Sequence, residues 1–362
     1  MAGKPVLVAV DDTLMHRRGR KVHGTFWHHD ATANSRRAAV AWANNWVVVA
    51  IVVRPVFLDR AICLPVLFRL WQPRRKHIAT GKADPERLSK PALAREMIDL
   101  LAARLGEGAI DVVGDAAYAL ATSAARGLPG RISLTSRLRS NAAIYAPKPP
   151  PTGKRGRPAV WGKKLRTLAQ IASDPATDWT ETLVRRYAKT ATVMVYEVHC
   201  LWGPLGSETP VRVILIADTT RPNGYQIALI TTDQASTPAQ IIERYSDRWP
   251  IEVCYEEAKH IFGVGDAQNR APRAVQRTVP FQFLAMSITI LWYTLHGHHP
   301  DVVAARRDKA PWYQTKSSPA TADMLATLRR TIIAAQYRPG RPNAPTPREI
   351  TAVQHAWAAA AT

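Results

Sequence analysis

Two short apolar segments that each end in acidic residues constrain the fold of this chain most. PVLVAVDD (5–12) is a continuous apolar segment closed by two aspartates, and AIDVVGDAAY (109–118) contains a second one that ends at Asp115. Unbroken apolar runs of this length are typical of strands that are buried on both faces, as in a sheet covered by helices. The sequence therefore predicts acidic side chains at the ends of two buried strands.

The order of the other segments predicts an α/β fold. KPALAREMIDLLAARL (90–105) has apolar residues at helical spacing, and an apolar helix around 281–293 is expected to pack on the sheet. Segments with the apolar character of strands lie at 46–59, 62–71, 131–140, 181–202, 211–220 and 225–233.

Composition favours a globular, nucleic-acid-binding protein. The 362 residues are 46% hydrophobic and carry a net charge of +21, which favours a polyanionic partner. Cys63, Cys200 and Cys254 are isolated, as is typical of a reducing compartment. We find no signal peptide and interpret the apolar stretch 279–295 as a buried helix rather than a membrane span, so we expect a cytoplasmic protein associated with the nucleoid.

The segment RYSDRWPIEVCYEEAK (244–259) combines charged residues with a proline. On a helix, Tyr245, Arg248, Glu252 and Lys259 fall within an arc of about 60°. A capping box at 237–240 predicts that a helix begins there, and Pro250 is expected to kink or restart it. By spacing alone, this stripe is compatible with a solvated helix or with a functional one.

Three carboxylates from two strands and one helix suit a pair of hard divalent cations. The acids are Asp11 or Asp12, Asp115, and Glu252 on the charged stripe. Mg²⁺ prefers oxygen ligands and leaves coordination positions open for a substrate phosphate.

The motifs together resemble those of a known family. The chain contains Tyr245-x2-Arg248-x3-Glu252-x6-Lys259, with DDT at 11–13 and VVGDAAY at 112–118. It is similar to DDE transposases of the insertion-sequence type that carry the Tyr-x2-Arg-x3-Glu-x6-Lys signature. The resemblance implies a ribonuclease H-like mixed sheet flanked by helices, with a β-rich insertion between the second and third catalytic acids.

The resemblance also implies which residues act. Asp12, the acid directly before threonine, together with Asp115 and Glu252, would be catalytic and would hold two Mg²⁺ ions, which Mn²⁺ can replace. The remaining signature residues would grip the transposon end: Tyr245, Arg248 and Lys259. Asp11 competes with Asp12 as first ligand, because strand alternation directs the two side chains to opposite faces.

The implied activity is metal-dependent strand cleavage and strand transfer on double-stranded DNA, at the transposon ends and the target, by a homodimer in the DNA complex. A hairpin intermediate is only weakly implied. The rivals are another ribonuclease H-like nuclease and a transposition-inactive, DNA-binding remnant. Only ten residues precede the first aspartate, where the family normally has a DNA-binding domain, so we expect a start further upstream or a truncated copy.

The expected division places the basic linker outside the catalytic core. The core comprises 1–147 and 234–298, the linker and β-rich insertion 148–233, and a basic C-terminal region 299–362. Within the linker, Arg155 and Arg157 of RGRP are expected to contact DNA, either as an AT-hook in the minor groove or as an ordinary basic segment that contacts phosphates.

Two further motifs have a structural and a functional interpretation. WHHD (27–30) is favoured as a strand or loop with structural histidines over a metal site, because adjacent histidines on a strand point apart. Trp179, Trp202 and Trp249 are favoured as partly buried core residues, with stacking on a flipped base as the alternative.

Overall fold

The protein is described from a computed structural model, which covers residues 4–30, 39–73, 87–119, 126–150, 160–186, 189–219, 224–309, 312, 315–336 and 345–361. Within these ranges, strands join one mixed sheet: β1 (Val6–His16), β2 (Phe26–His29), β3 (Val40–Val53), β4 (Ile62–Trp71), β5 (Ile110–Gly114), β6 (Ile132–Arg137), β7 (Ile144–Tyr145), β8 (Thr180–Arg186), β9 (Lys189–Trp202), β10 (Gly206–Asp218) and β11 (Ile227–Thr231).

Helices cover both faces of this sheet: α1 (Lys90–Leu105), α2 (Ala116–Ala119), α3 (Leu168–Ala172), α4 (Pro238–Ser246), α5 (Pro250–Phe262), α6 (Pro272–Trp292), α7 (Asp301–Lys309), α8 (Thr321–Gln336) and α9 (Pro347–Ala361). The predicted helix at 90–105 is confirmed at both ends, and the Ser89 side chain caps it by accepting from the backbone N–H of Ala92. The three C-terminal helices were not predicted, because that region is alanine-rich and lacks a clear apolar period.

The central strands confirm the ribonuclease H-like arrangement. Their order is β4-β3-β1-β5-β6, with β1, β5 and β6 parallel and β3 antiparallel to β1. The register of β1 and β5 pairs Val10 with Gly114, so Asp11 and Asp115 follow directly at the same edge of the sheet. The prediction that the first strand ends at the aspartates is wrong: β1 continues to His16, and Asp11 and Asp12 pair with Val48 and Val47 of β3, because β3 is longer than β5 and extends the pairing. Asp11 therefore lies within β1, Asp115 directly follows β5, and the register still places the two acids next to each other.

The β-rich region between Asp115 and Glu252 extends the same sheet. Beyond β6 the order continues β11-β10-β9-β7, and β8 pairs with β9 as a hairpin. The stretch predicted as strand at 181–202 is thus two antiparallel strands. The long pairing of β9 with β10 continues the sheet well beyond the central strands.

Alternation along β1 gives the sheet two separate cores. Val8 and Val10 pack in the core beneath α1, whereas Ala9 packs in the core beneath α5 and α6. Successive side chains on a strand point to opposite faces. Asp11 is therefore directed toward α5, and Asp12 toward α1.

Proline divides the charged segment into two helices. Thr237 and Gln240 form the predicted capping box at the start of α4, and α5 restarts at Pro250. Helix α5 ends at Gly263, whose φ of 63° lies in the left-handed region that favours glycine. The restart lets α5 pack its own face, with Ile251, Tyr255 and Ala258, against the sheet.

Helix α6 packs on the sheet as predicted, but with one face only, so the interpretation of 279–295 as a fully buried helix is corrected. Val279, Phe283, Met286 and Ile290 are buried in the core, while other apolar side chains of the helix are exposed. In the described part of the chain, 272–297 is also the one segment long and apolar enough to cross a membrane, and part of it is buried within the protein.

Candidate active site

Arg248 links Asp11, in the middle of β1, to Glu252 in the first turn of α5. Its Nη1 donates to Oδ2 of Asp11 at 3.1 Å, and its Nη2 donates to Oε1 of Glu252 at 2.7 Å. The Arg248 side chain is only 12% exposed, whereas that of Glu252 is 37% exposed. A buried guanidinium is therefore shared between two carboxylates that lie far apart in the sequence.

The carboxyl of Asp11 lies in a strongly perturbed environment. Burial raises its pKa to about 7, Arg248 opposes this rise, and the negative charge of Asp115 adds to it. A carboxylate that is desolvated beside another carboxylate gains from a bound cation, because the cation removes both penalties. Perturbation of this kind is common in functional sites.

Asp115 is held rigidly next to Asp11. The backbone N–H of Ala117 donates to Oδ1 of Asp115 at 2.8 Å, and the hydroxyl of Ser136 donates to its backbone carbonyl at 2.6 Å. These contacts fix the turn that follows β5 and leave Oδ2 without a hydrogen bond among the described residues. Asp115 can therefore offer an oxygen at the strand end.

Asp12 belongs to a different cluster on the α1 face. It accepts from Lys90 Nζ at 2.6 Å, from Asn45 Nδ2 at 2.9 Å and from the Tyr118 hydroxyl at 3.0 Å. Lys90 lies at the start of α1, and its ammonium is 5.2 Å from the centre of the Trp71 ring. Asp12 is thus already neutralised and hydrogen-bonded on the face away from Glu252.

The geometry favours Asp11 over Asp12 as the first acid of the triad. Asp11 contacts the same arginine as Glu252 and lies next to Asp115, whereas the partners of Asp12 lie on the other face. The family pattern predicted Asp12 with Asp11 as its competitor, so the geometry favours the competitor, because the side chain of Asp11 and not that of Asp12 lies on the face that α5 covers. The sequence did not identify Lys90 or Asn45 as partners of Asp12. The sequence did point to Tyr118 as a residue near the site, because it is the last residue of the VVGDAAY motif.

The other signature residues flank this site. The guanidinium of Arg248 is 5.8 Å from the centre of the Tyr245 ring, and burial raises the pKa of Tyr245. Lys259 lies near the other end of α5, where burial lowers its pKa and Asp30 opposes that shift. Tyr245 and Arg248 are thus in one cluster with the acids, and Lys259 is two helical turns away.

The oxygen donors of Asp11, Asp115 and Glu252 have the chemistry that a hard divalent cation prefers. In the described ranges, no group of three acidic, histidine or cysteine side chains is close enough to hold a metal without rearrangement. The guanidinium already sits between Asp11 and Glu252, so this position stabilises positive charge. Aspartate and glutamate oxygens are the ligands that Mg²⁺ prefers.

A basic groove lies beside the carboxyl end of β1. It has a volume of about 640 Å³ and is lined by His16, Arg17, Arg18, the 265–269 loop and Arg270. Arg17 is structural, because it donates to the carbonyls of Gly265 and Ala267, which leaves Arg18 and Arg270 as exposed cations on the rim. His16 of the groove pairs with Asp30, and the negative charge of Asp30 acts on Lys259. The groove therefore lies near Lys259, the last residue of the 245–259 signature.

The tryptophans differ in burial. Trp202 is buried, Trp179 packs on the core, and Trp249 is 48% exposed. Trp249 lines a second cavity of about 510 Å³ with Arg54 and Arg60 at the start of α5. Of the three tryptophans, it alone combines exposure with a neighbouring cavity.

Two predicted motifs have different outcomes. Arg155 and Arg157 lie outside the described residues. In WHHD, His28 is buried, with its ring 5.6 Å from that of Trp71, and His29 is exposed, so the two histidines point to opposite faces as expected.

The mixed sheet, with Asp11 in β1 and Asp115 directly after β5, defines a ribonuclease H-like protein. Residues 1–198 match the family model described as DDE superfamily endonuclease. The match covers more than half of the 362 residues, and the chain belongs to this family. The family implies an endonuclease that acts on DNA and uses divalent metal ions. The matched region contains Asp11, Asp12 and Asp115 and ends before the 245–259 signature. No curated protein matches the sequence.

Proposed function

We propose that this endonuclease is a transposase that cleaves and joins DNA strands at the ends of an insertion sequence. The observation that supports this proposal best is the contact of Arg248 with both Asp11 and Glu252. This contact brings Glu252 on α5 and Asp11 on β1 together, next to Asp115.

Asp11, Asp115 and Glu252 would hold two Mg²⁺ ions, or Mn²⁺ in their place. The bound ions would activate the attacking water or 3′-hydroxyl and stabilise the leaving oxygen. Asp11 lies within β1 and Asp115 directly follows β5, whereas Glu252 lies on α5, which begins only two residues before it. This arrangement fixes two ligands and lets the third adjust with the helix.

Arg248, Tyr245 and Lys259 are proposed to grip the DNA end. Arg248 would be free to donate to a phosphate if bound cations neutralised Asp11 and Glu252, and bidentate pairing with phosphate suits its guanidinium. The basic groove lined by Arg18 and Arg270 also contains His16, which pairs with Asp30 near Lys259, and it would offer a path for the DNA backbone. Two protomers, one at each transposon end, would form the DNA complex.

A nuclease without strand transfer is the second candidate. The family match stops before the signature, which favours the general class over the particular activity. The two candidates differ in whether a freed 3′-hydroxyl is joined to target DNA.

The test combines substitution with two product assays. Asp11→Asn, Asp115→Asn and Glu252→Gln should each lower Mg²⁺-dependent cleavage by at least about 10³-fold, because each removes a metal ligand. Asp12→Asn is the matched control and should retain cleavage within about tenfold. Cleavage that survives in Asp11→Asn but not in Asp12→Asn would reverse the assignment. Cleavage by the wild type without strand-transfer product would favour the simple nuclease.

A further inference from the structure

The outward face of α6 carries a continuous stripe of exposed apolar side chains. Phe281, Leu284, Ile288 and Leu291 in α6, and Leu295 in the π-helical turn Tyr293–Gly297 that continues it, are 71%, 38%, 62%, 49% and 63% exposed. They recur at intervals of three and four residues, which is the spacing of the contact positions in a pair of packed helices. We call these five residues the α6 stripe.

Packing in the core fixes the orientation of the stripe. Val275, Val279, Phe283, Met286 and Ile290 on the opposite side are buried, and α6 packs on β4 and α8. The helix cannot rotate to hide the stripe without exposing this larger apolar surface. The stripe therefore stays outside in the single chain.

The stripe is free of charge in a strongly charged protein. The sequence from Thr278 to Leu295 contains no aspartate, glutamate, lysine or arginine, whereas the whole chain carries +21. DNA is a poor partner for this face, because binding to the phosphate backbone depends on cationic side chains. A second copy of the chain suits it, since two uncharged faces meet without the repulsion that other parts of the surface impose.

The exposed area reaches the lower limit for a dimer. Aromatic side chains bury about 150 to 250 Å² each and leucine and isoleucine somewhat less, so the five partly exposed side chains present on the order of 500 Å². Two copies would bury about 1,000 Å² in total, which is the lower limit for a specific interface.

We propose that the α6 stripe is a two-fold interface between copies of this chain, formed without DNA or metal. In such an interface the same patch of each subunit faces its counterpart, and α6 of one protomer packs along α6 of its partner. This inference deepens the homodimer of the proposed function by naming its surface. It is tested without catalysis, so its failure leaves the catalytic proposal standing.

The test is sedimentation velocity of the full chain in the absence of DNA and metal. Leu291→Glu should convert a dimer to a monomer, with a dissociation constant raised at least about 100-fold, because a symmetric interface would bury two unpaired glutamates. Leu100→Glu on α1 is the matched control, since that leucine is also helical and is 45% exposed; it should stay dimeric. Ile288→Glu should repeat the effect, and circular dichroism checks that each variant is folded.

Three results would overturn the interface. These are a monomeric wild type, a dimer that survives both stripe substitutions, and an equal loss of dimer in Leu100→Glu. Flotation with phosphatidylcholine vesicles tests the other occupant: capture of the wild type but not of Leu291→Glu would assign the stripe to a lipid surface.

Discussion

Nη1 of Arg248 lies 3.1 Å from Oδ2 of Asp11, although 237 residues separate them in the chain. The same guanidinium donates to Glu252 at 2.7 Å. A cationic side chain thus stands where the proposed metal would be held, and metal and arginine compete for the same two carboxylates.

This competition predicts that Arg248→Ala binds Mn²⁺ more tightly than the wild type in the absence of DNA. We expect a gain of about tenfold, equivalent to about 1.4 kcal/mol, because the metal no longer displaces a charged partner. The measurement is Mn²⁺ titration followed by electron paramagnetic resonance. Arg54→Ala serves as control, because Arg54 pairs with Asp247 outside the triad. Unchanged Mn²⁺ affinity in Arg248→Ala would show that the arginine does not compete.

Asp12 is predicted to stabilise the fold rather than to catalyse. Asp12→Asn leaves Lys90 without its carboxylate partner at 2.6 Å and should lower the free energy of unfolding by about 1 to 3 kcal/mol. The measurement is urea denaturation. Combining Asp12→Asn with Lys90→Met should recover part of the loss, since no unpaired ammonium then remains.

The control for this prediction is Asp99→Asn. Asp99 is 49% exposed and pairs with Arg95 one helical turn away. Exposed pairs of this kind contribute little, so we expect a change of less than about 0.5 kcal/mol. A loss in Asp12→Asn that is no larger than in Asp99→Asn would contradict a structural role for Asp12.

Asp233 is predicted to contribute stability that is lost in acid. Burial alone would raise its pKa, but hydrogen bonds from Ser236, Arg244 and the backbone lower it below the ordinary value. A carboxyl with a depressed folded pKa stabilises the protein above its unfolded pKa of about 3.9, and this contribution disappears as pH falls through the folded value.

Asp233→Asn should therefore be less stable than the wild type at pH 7, and the difference should shrink as the pH is lowered below about 4. Guanidinium denaturation at several pH values measures this. Asp301→Asn is the comparison, because Asp301 is 84% exposed. A difference that is independent of pH would mean that the charge of Asp233 contributes nothing.

The basic linker is predicted to contact DNA through Arg155 and Arg157. Replacing both by alanine should weaken binding to all duplexes and reduce the slope of log affinity against log salt by about 2. A greater loss on A·T-rich duplexes would indicate that the arginines enter the minor groove. Unchanged affinity and slope would place the linker outside the DNA interface.

The sequence by itself determined the local elements and their order. The unbroken apolar segments specify buried strands, the capping box at Thr237 starts α4, and Pro250 restarts the helix because it lacks a backbone donor. These signals act over a few residues, so they can be read without knowing the fold. The signature spacing likewise placed Tyr245, Arg248 and Glu252 on one side.

Only the tertiary structure decided which other elements each face of a strand or helix contacts. Alternation sends Asp11 and Asp12 to opposite faces of β1, but the face that α5 covers depends on packing between segments more than 200 residues apart. In the same way, α6 is apolar nearly all round, and no local pattern tells which of its apolar residues the sheet will bury. The sheet and α8 cover only one face of that helix, so the α6 stripe on the other face remains exposed. Which residues are buried depends on how the layers pack, and the residue types alone do not decide it.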